Sequence, residues 1–201
     1  MSTATLALPP AAAPPRRNVA LVGTIFAIAA GTMLLGGLLA TYFLARQTVQ
    51  DGGNQWVDPT IIPNVGAVVA YSTLLMSSFT AQWAVSAVKA GDRRQGFVAL
   101  GLTLLLGAAF LNGLTFCWSQ LGLTAGDNGF ADHMYAVTIT HAVLMVAAIV
   151  LFLVMTFRVL GGQYGPRNSE FVASAAAFWH FVVLAGAVIW WSVWFLEGGP
   201  G

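Results

Sequence analysis

Residues 134–157 read MYAVTITHAVLMVAAIVLFLVMTF, a run that contains no Lys, Arg, Asp or Glu. A helix needs about 20 apolar residues to cross the hydrocarbon core of a bilayer, so this run is long enough to span a membrane. Four further stretches of the same kind cover residues 19–45, 66–88, 96–118 and 171–196. The pattern predicts an all-α integral membrane protein with a bundle of five transmembrane helices.

Composition places the chain in a bilayer rather than in water. Hydrophobic residues make up 58% of the 201 residues, charged residues only 7%, and the mean hydropathy is +0.78. The 8 Lys and Arg and the 7 Asp and Glu residues lie at the ends of the apolar stretches or between them. A charge in hydrocarbon is costly and usually marks a proton relay or an ion pathway. The uncharged interior, with too little other sequence for a soluble module, argues against redox or transport chemistry in this chain.

The connecting segments predict the orientation of the bundle. Seven basic residues precede the first span or lie in the loops after the second and fourth: Arg16, Arg17, Lys89, Arg93, Arg94, Arg158 and Arg167. The opposite side holds Arg46 and most of the acidic residues. Because cytoplasmic loops are enriched in Lys and Arg, we expect the N-terminus in the cytoplasm and the C-terminus outside. Tryptophan favours membrane interfaces. Four tryptophans lie near the predicted outer boundary: Trp56, Trp118, Trp191 and Trp194.

The N-terminal segment and the cysteine content limit the organisation further. Residues 1–18, MSTATLALPPAAAPPRRN, are rich in Ala and Pro and predict a disordered cytoplasmic tail ahead of a membrane domain over residues 19–201. The paired arginines could suggest an export signal, but the following apolar stretch is too long for a cleavable one. Cys117 is the only cysteine, so it can form no internal disulfide, and we expect a small buried side chain.

Two histidines, His141 and His180, lie well inside predicted spans. At a rise of 1.5 Å per residue, each reaches the middle third of the membrane, where facing imidazoles could ligate a b-type haem. A membrane haem protein is therefore an alternative class. The more ordinary interpretation is a neutral imidazole that contacts lipid or bonds a hydroxyl, and Thr138, Thr140 and Ser174 lie on the same helices.

Proline placement argues against a third class, a transporter. Transporters with alternating access often contain helices that Gly or Pro breaks near mid-membrane. Here Pro59 and Pro63 precede the second span, Pro166 lies in a loop and Pro200 lies near the C-terminus, so every span is predicted to be continuous. The many glycines within the spans instead indicate close packing between helices.

The fifth span resembles a known family. Residues 175–191, AAAFWHFVVLAGAVIWW, are similar to the Y-W-H-F-V-D signature in the last helix of cytochrome c oxidase subunit III, of the haem-copper oxidase subunit III family, and Trp179 and His180 match it in register. YAVTITHAVLMVAA resembles the family's T-G-F-H-G-L-H-V segment, with Thr138 and His141 at matching positions. Three other segments are also similar: LLLGAAFLNGLTFCW (104–118), YSTLLMSSFTAQWAVSAVKAGDRR (71–94) and GTMLLGGLLATYFLARQ (31–47). The resemblance extends from about residue 19 onward and fits the five-helix bacterial form.

The chain departs from the family pattern at four polar positions. Gly31 and Cys117 stand where the family has carboxylates, Leu144 stands at its second histidine and Val183 at its aspartate. In the family these groups line a lipid-holding cleft near the catalytic subunit. Their replacement puts in doubt the lipid contacts and any tuning of proton uptake that depends on those carboxylates.

The resemblance implies a non-catalytic subunit of an aerobic terminal oxidase in a bacterial cell membrane. Such a subunit packs against haem-copper subunit I, binds phospholipid and protects the oxidase during turnover. Haem and copper would belong to partner chains, with subunit II and other respiratory subunits as further partners. No catalytic, cofactor-binding or metal-binding residue is expected, and the candidates for lipid-cleft or packing roles are Thr138, His141, Trp179 and His180. A quinol oxidase of the same family remains an alternative, since the electron donor docks on other subunits.

Overall fold

The computed structural model describes residues 19–163 and 169–198, and within these ranges the chain is helical, without strands. The five long helices are α1 (Val19–Asp51), α2 (Asn64–Ala90), α3 (Arg93–Leu121), α4 (Gly129–Leu160) and α5 (Glu170–Ile189). Helices α1 to α4 each contain one of the predicted apolar stretches, and the fifth stretch, 171–196, begins in α5 and extends past its end. The predicted disordered tail, with Arg16 and Arg17, lies outside the described residues, as do Pro166, Arg167 and Pro200.

The last helix does not end at Ile189. It continues through a π-helical segment, Trp190–Phe195, into a final short turn, Leu196–Gly198. The span is continuous, as the proline placement predicts, but its hydrogen-bond spacing widens near the C-terminal end. A π-helical segment rotates the side chains that follow it around the helix axis.

The helices have the lengths and composition of a membrane protein. In the described part of the chain, α1, α3, α4 and the extended α5 (Glu170–Gly198) are long and apolar enough to cross a membrane. Helix α2 has 27 residues but is not among these four. Its polar side chains in the middle of the helix are Ser72, Thr73, Ser77, Ser78, Thr80 and Gln82.

The helices are arranged as a ring of four with one helix outside it. Helices α2, α3, α4 and α5 pack in that order, and α5 closes the ring against α2. Helix α1 packs against α4 and α5. It buries only Gly31, Leu35 and Tyr42.

A very short turn makes α2 and α3 antiparallel neighbours. Gly91 ends α2 in the left-handed conformation, with φ 77°, which glycine adopts without steric cost. Asp92 then caps α3 by accepting a hydrogen bond from the backbone N–H of Gln95 at 3.0 Å. Further along the pair, Thr103 Oγ1 donates to Thr80 Oγ1 at 2.8 Å, which fixes the register of the two helices.

Glycines lie where the helices of the ring approach most closely. A Cβ added to Gly113 of α3 would lie 2.9 Å from the Cβ of Ala70 on α2. One on Gly107 would lie 2.7 Å from the Trp179 ring, and one on Gly186 would lie 2.7 Å from Leu74. Small residues at helix contacts allow close van der Waals packing where lipid supplies no hydrophobic drive.

Two tryptophans expected at the membrane interface lie inside the protein instead. Trp194 is fully buried and Trp56 is 6% exposed, whereas Trp191 on the same π-helical segment is half exposed. Position along the chain predicts depth in the membrane but not whether a ring faces lipid or a neighbouring helix. The π-helical segment and the α1–α2 connection determine that choice here.

The α1–α2 connection is ordered by local hydrogen bonds outside the apolar segments. Asp58 Oδ1 accepts from both the backbone N–H and the hydroxyl of Thr60, at 2.9 and 2.8 Å. These bonds favour the charged carboxylate and hold the pKa of Asp58 below its ordinary value. They cap a single 3₁₀ turn, Pro59–Ile61, ahead of α2.

Candidate functional site

Trp179 lies at the centre of the four-helix ring and contacts the three other helices. Its side chain is fully buried, and its Nε1 donates to Ser77 Oγ of α2 at 2.9 Å. The ring centroid lies 4.6 Å from that of Phe152 on α4. Gly107 of α3 leaves the space that the indole occupies. Trp179, one of the packing candidates from the sequence, thus contacts every other helix of the ring.

His141 of α4 is buried in the same interior, and its partner on α5 lies about one turn after Trp179. Its Nε2 lies 2.9 Å from the carbonyl oxygen of Val182 on α5. Since a carbonyl only accepts, Nε2 carries the proton and Nδ1 is unprotonated in the neutral ring. Tyr71 stacks on the imidazole at a centroid distance of 6.4 Å, and Phe110 meets it edge-on at 5.5 Å. This histidine ties α4 to α5.

Gly186 is what lets α5 approach this imidazole. A Cβ at that position would lie 3.0 Å from Cε1 and 3.1 Å from Nε2 of His141. The backbone of α5 therefore covers the imidazole edge that carries the proton. A planar macrocycle at that edge would have to displace the helix.

His180 has a different environment on the same helix. It is half-buried between α5 and α2, where its Nδ1 lies 2.5 Å from Ser78 Oγ and its Nε2 lies 3.4 Å from Gln82 Oε1. The two histidines thus have separate partners and share no pocket. This arrangement does not provide the paired axial ligands that a b-type haem requires.

The hydroxyls considered as histidine partners from sequence bond elsewhere. Thr138 Oγ1 donates to the Met134 carbonyl at 2.8 Å and accepts from Trp118 Nε1 at 3.1 Å, which joins α3 to α4. Thr140 and Ser174 bond carbonyls of their own helices. These hydroxyls lie on the same helices as the histidines but do not bond them, because proximity in sequence along one helix does not give a shared face.

A polar cluster at the end of α5 was not found from sequence. Glu197 Oε1 accepts from Arg46 Nε at 2.7 Å and from the Tyr42 hydroxyl at 2.9 Å. Trp56 Nε1 in turn donates to the Tyr42 oxygen at 3.3 Å. We call Tyr42, Arg46, Trp56 and Glu197 the end cluster. The sequence contains one signal for this cluster: Tyr42 and Arg46 lie one turn apart on α1, on the same predicted side of the membrane as Glu197.

Three of the four departures from the family pattern are buried, Leu144 is partly buried, and two of the four are neighbours. A Cβ on Gly31 would lie 2.8 Å from the Phe181 ring and 3.8 Å from Leu144 Cδ1. Gly31 and Leu144, both polar positions in the family pattern, thus meet in one apolar contact between α1, α4 and α5. Cys117 is fully buried, as expected, and Val183 is 2% exposed.

The polar groups inside the ring make contacts between helices. In the described part of the chain, no three His, Cys, Asp or Glu residues cluster so as to hold a metal ion. The interior polar groups of Trp179, Thr138 and His141 bond one helix to another. Fold and interior together define a polytopic helical membrane protein.

Comparison with known proteins identifies the family. The family model for cytochrome c oxidase subunit III matches residues 16–197. The chain is 30% identical over 186 residues to cytochrome c oxidase subunit 3 of Corynebacterium diphtheriae, with 90% of each chain covered. It is 29% identical over 189 residues to a probable cytochrome c oxidase subunit 3 of Nocardia farcinica, again over 90% of each. A third relative, cytochrome c oxidase subunit 3 of Thermostichus vulcanus, is 28% identical over 171 residues, covering 84% of this chain and 81% of that one. The chain belongs to the cytochrome c oxidase subunit III family.

Proposed function

We propose that this chain is the non-catalytic subunit III of an aerobic respiratory terminal oxidase. Haem and copper in partner subunits reduce oxygen to water and couple the reaction to proton translocation, while this chain stabilises haem-copper subunit I. The observation that carries the proposal is the family match over residues 16–197. The ring interior supports it, because its polar groups serve contacts between helices.

The proposed topology has five spans, a cytoplasmic N-terminus and an external C-terminus in a bacterial plasma membrane. Arg93 donates to the carbonyl of Leu160 at 3.0 Å, so the start of α3 and the end of α4 lie at the same end of the bundle. Lys89, Arg93 and Arg94 therefore share that end with Arg158, whereas Arg46 and Glu197 meet at the other. This distribution supports the positive-inside orientation. Helix α2 is included as a span because it runs antiparallel beside α3.

The proposed partners are subunit I as the main contact, subunit II and phospholipid. An apolar groove of about 250 Å³ lies between α1 and α5, with Leu35, Leu39, Phe181 and Val188 among its walls. Its shape and lining suit an acyl chain. Half-buried His180 supplies a polar group on the same helix for a headgroup or a neighbouring subunit. The names of the relatives favour cytochrome c over quinol as electron donor to the complex.

The test is a reduced-minus-oxidised visible spectrum combined with subunit mass spectrometry. The complex that co-purifies with this chain in mild detergent is compared with the isolated chain. We expect haem bands and a large oxidase subunit in the complex, and no haem bands in the isolated chain. Haem in the isolated chain that disappears in His180→Ala would instead establish the membrane haem protein.

A further inference from the structure

We propose that the α2–α3 turn carries a binding site for an anionic phospholipid, separate from the α1–α5 groove. A cavity of about 320 Å³ opens there, lined by Trp83, Asp92, Arg94, Gln95 and Val98. The lining combines three polar side chains, Asp92, Arg94 and Gln95, with the largely apolar Trp83 and Val98. This is the division of chemistry found in a phospholipid, between its headgroup and its acyl chains.

Arg94 provides the phosphate-binding group. Its side chain is exposed and forms no hydrogen bond or ion pair with the rest of the described chain. A guanidinium binds phosphate oxygens through two parallel hydrogen bonds. The neighbouring Arg93 differs, because it is engaged with the Leu160 carbonyl. Of the two adjacent arginines, only Arg94 lines the cavity and has its donors free.

Asp92 also lines the cavity and keeps its negative charge, but it is bound to Gln95 rather than to Arg94. Its Oδ1 accepts from the backbone N–H of Gln95 at 3.0 Å and its Oδ2 accepts from Gln95 Nε2 at 2.9 Å. Two N–H donors therefore face the carboxylate, which retains lone pairs for a headgroup hydroxyl. With Lys89 and Arg93 beside Arg94, the turn is net positive, as expected of a site for anionic lipid.

Trp83 forms the wall at the junction of the polar and apolar parts. Its Nε1 donates to Gln95 Oε1 at 3.1 Å, which orients the indole over the cavity, and its side chain is 38% exposed. An indole held at the level of lipid headgroups is the usual arrangement at a membrane interface. The hydrogen bond fixes the ring before a ligand arrives, which lowers the entropic cost of binding.

An exposed apolar strip continues from the cavity toward mid-membrane. Phe79 and Met76 follow Trp83 on α2, and Leu102 and Leu105 follow Val98 on α3. The antiparallel register set by Thr103 and Thr80 places the two rows side by side. At 1.5 Å per residue the strip runs about 10 Å, enough for a large part of an acyl chain. Headgroup and chain contacts are therefore continuous on one surface.

The experiment titrates phosphatidylglycerol into the delipidated oxidase complex that contains the full chain. Lipid adducts on the released subunit are counted by native mass spectrometry. We expect Arg94→Gln to weaken the adduct about fivefold, the effect of removing one cation near a lipid surface. The charge-matched controls Lys89→Gln and Arg93→Gln should each lose less than Arg94→Gln, because neither side chain lines the cavity. Phosphatidylcholine adducts should fall by a smaller factor, because the choline cation offsets the phosphate charge that the net positive turn attracts.

Three results would overturn the proposal. The first is an Arg94→Gln titration that coincides with that of the parent chain. The second is an equal loss in Lys89→Gln, which would indicate diffuse surface charge. The third is displacement of phosphatidylglycerol by inorganic phosphate, which would indicate a free-anion site. Circular dichroism establishes that each variant is folded, and the outcome does not depend on the assignment of the electron donor.

Discussion

Arg46 Nε and Glu197 Oε1 lie 2.7 Å apart and join the last turns of α1 to the end of α5. The Glu197 side chain is 5% exposed, while that of Arg46 is 28% exposed. Helix α1 buries few of its own side chains, and this ion pair and the Tyr42 hydrogen bond add polar attachments to its apolar packing against α4 and α5.

Glu197→Gln should therefore loosen α1. The substitution keeps the shape of the side chain but removes the charge that both donors face, and the expected loss is about 2 kcal/mol of unfolding free energy. Glu170→Gln is the matched control, since Glu170 is exposed at the other end of α5. Unfolding in mixed micelles with increasing SDS measures both. Equal stability of the two variants would contradict a stabilising role for the end cluster.

Ser77→Ala should destabilise the ring by leaving Trp179 Nε1 without its acceptor. A buried donor that loses its partner costs about 1–3 kcal/mol. Ser86→Ala, on the exposed face of the same helix, removes only a bond to the helix's own Gln82 carbonyl and should be nearly neutral. Unfolding in mixed micelles with increasing SDS measures the stability of both serine variants. A neutral Ser77→Ala would mean that the indole finds another acceptor.

Two glycines of α3 should respond in opposite ways to alanine. Gly107→Ala places a methyl 2.7 Å from the Trp179 ring and 2.8 Å from Met145 Cε, so it should destabilise the chain and reduce its yield in the membrane. Gly101→Ala meets nothing within 4 Å and should be neutral or stabilising by up to about 1 kcal/mol. Thermal unfolding in detergent compares them. Similar midpoints would refute the close approach of α3 and α5.

The paired departures at Gly31 and Leu144 predict coupled substitutions. Gly31→Glu alone should destabilise, because the new side chain meets the Phe181 ring in an apolar contact. Adding Leu144→His should recover part of the loss, since the imidazole would give the carboxylate a partner. A double-mutant cycle on unfolding free energy measures the coupling. Strict additivity would show that these positions do not interact.

His180→Leu should weaken retention of the chain in the oxidase complex without altering the haem spectrum. The half-buried imidazole bonds Ser78 and faces the outside of the ring, so its loss acts on contacts with lipid or a neighbouring subunit. Ser174→Ala, on the same helix but bonded only to its own backbone, is the control. Subunit ratios after size-exclusion chromatography give retention. A changed haem spectrum with full retention would contradict this role.

The helical class and the position of each apolar stretch could be read from the sequence, because charges are excluded from hydrocarbon along the whole length of a span. The family likeness and the burial of Cys117 could be read from it too. Depth along the membrane normal follows from chain position, so residues 66–88 and 96–118 fall within α2 and α3.

The rotation of each helix could not be read from the sequence, because lipid is as apolar as a protein interior and the outward and inward faces look alike. Only the tertiary structure shows that Trp194 points inward, that His141 bonds Val182 rather than a hydroxyl of its own helix, and that His180 bonds Ser78. The Arg46–Glu197 pair joins residues far apart in the chain. Sequence thus determined which segments enter the membrane, and packing between helices decided which side chains meet there.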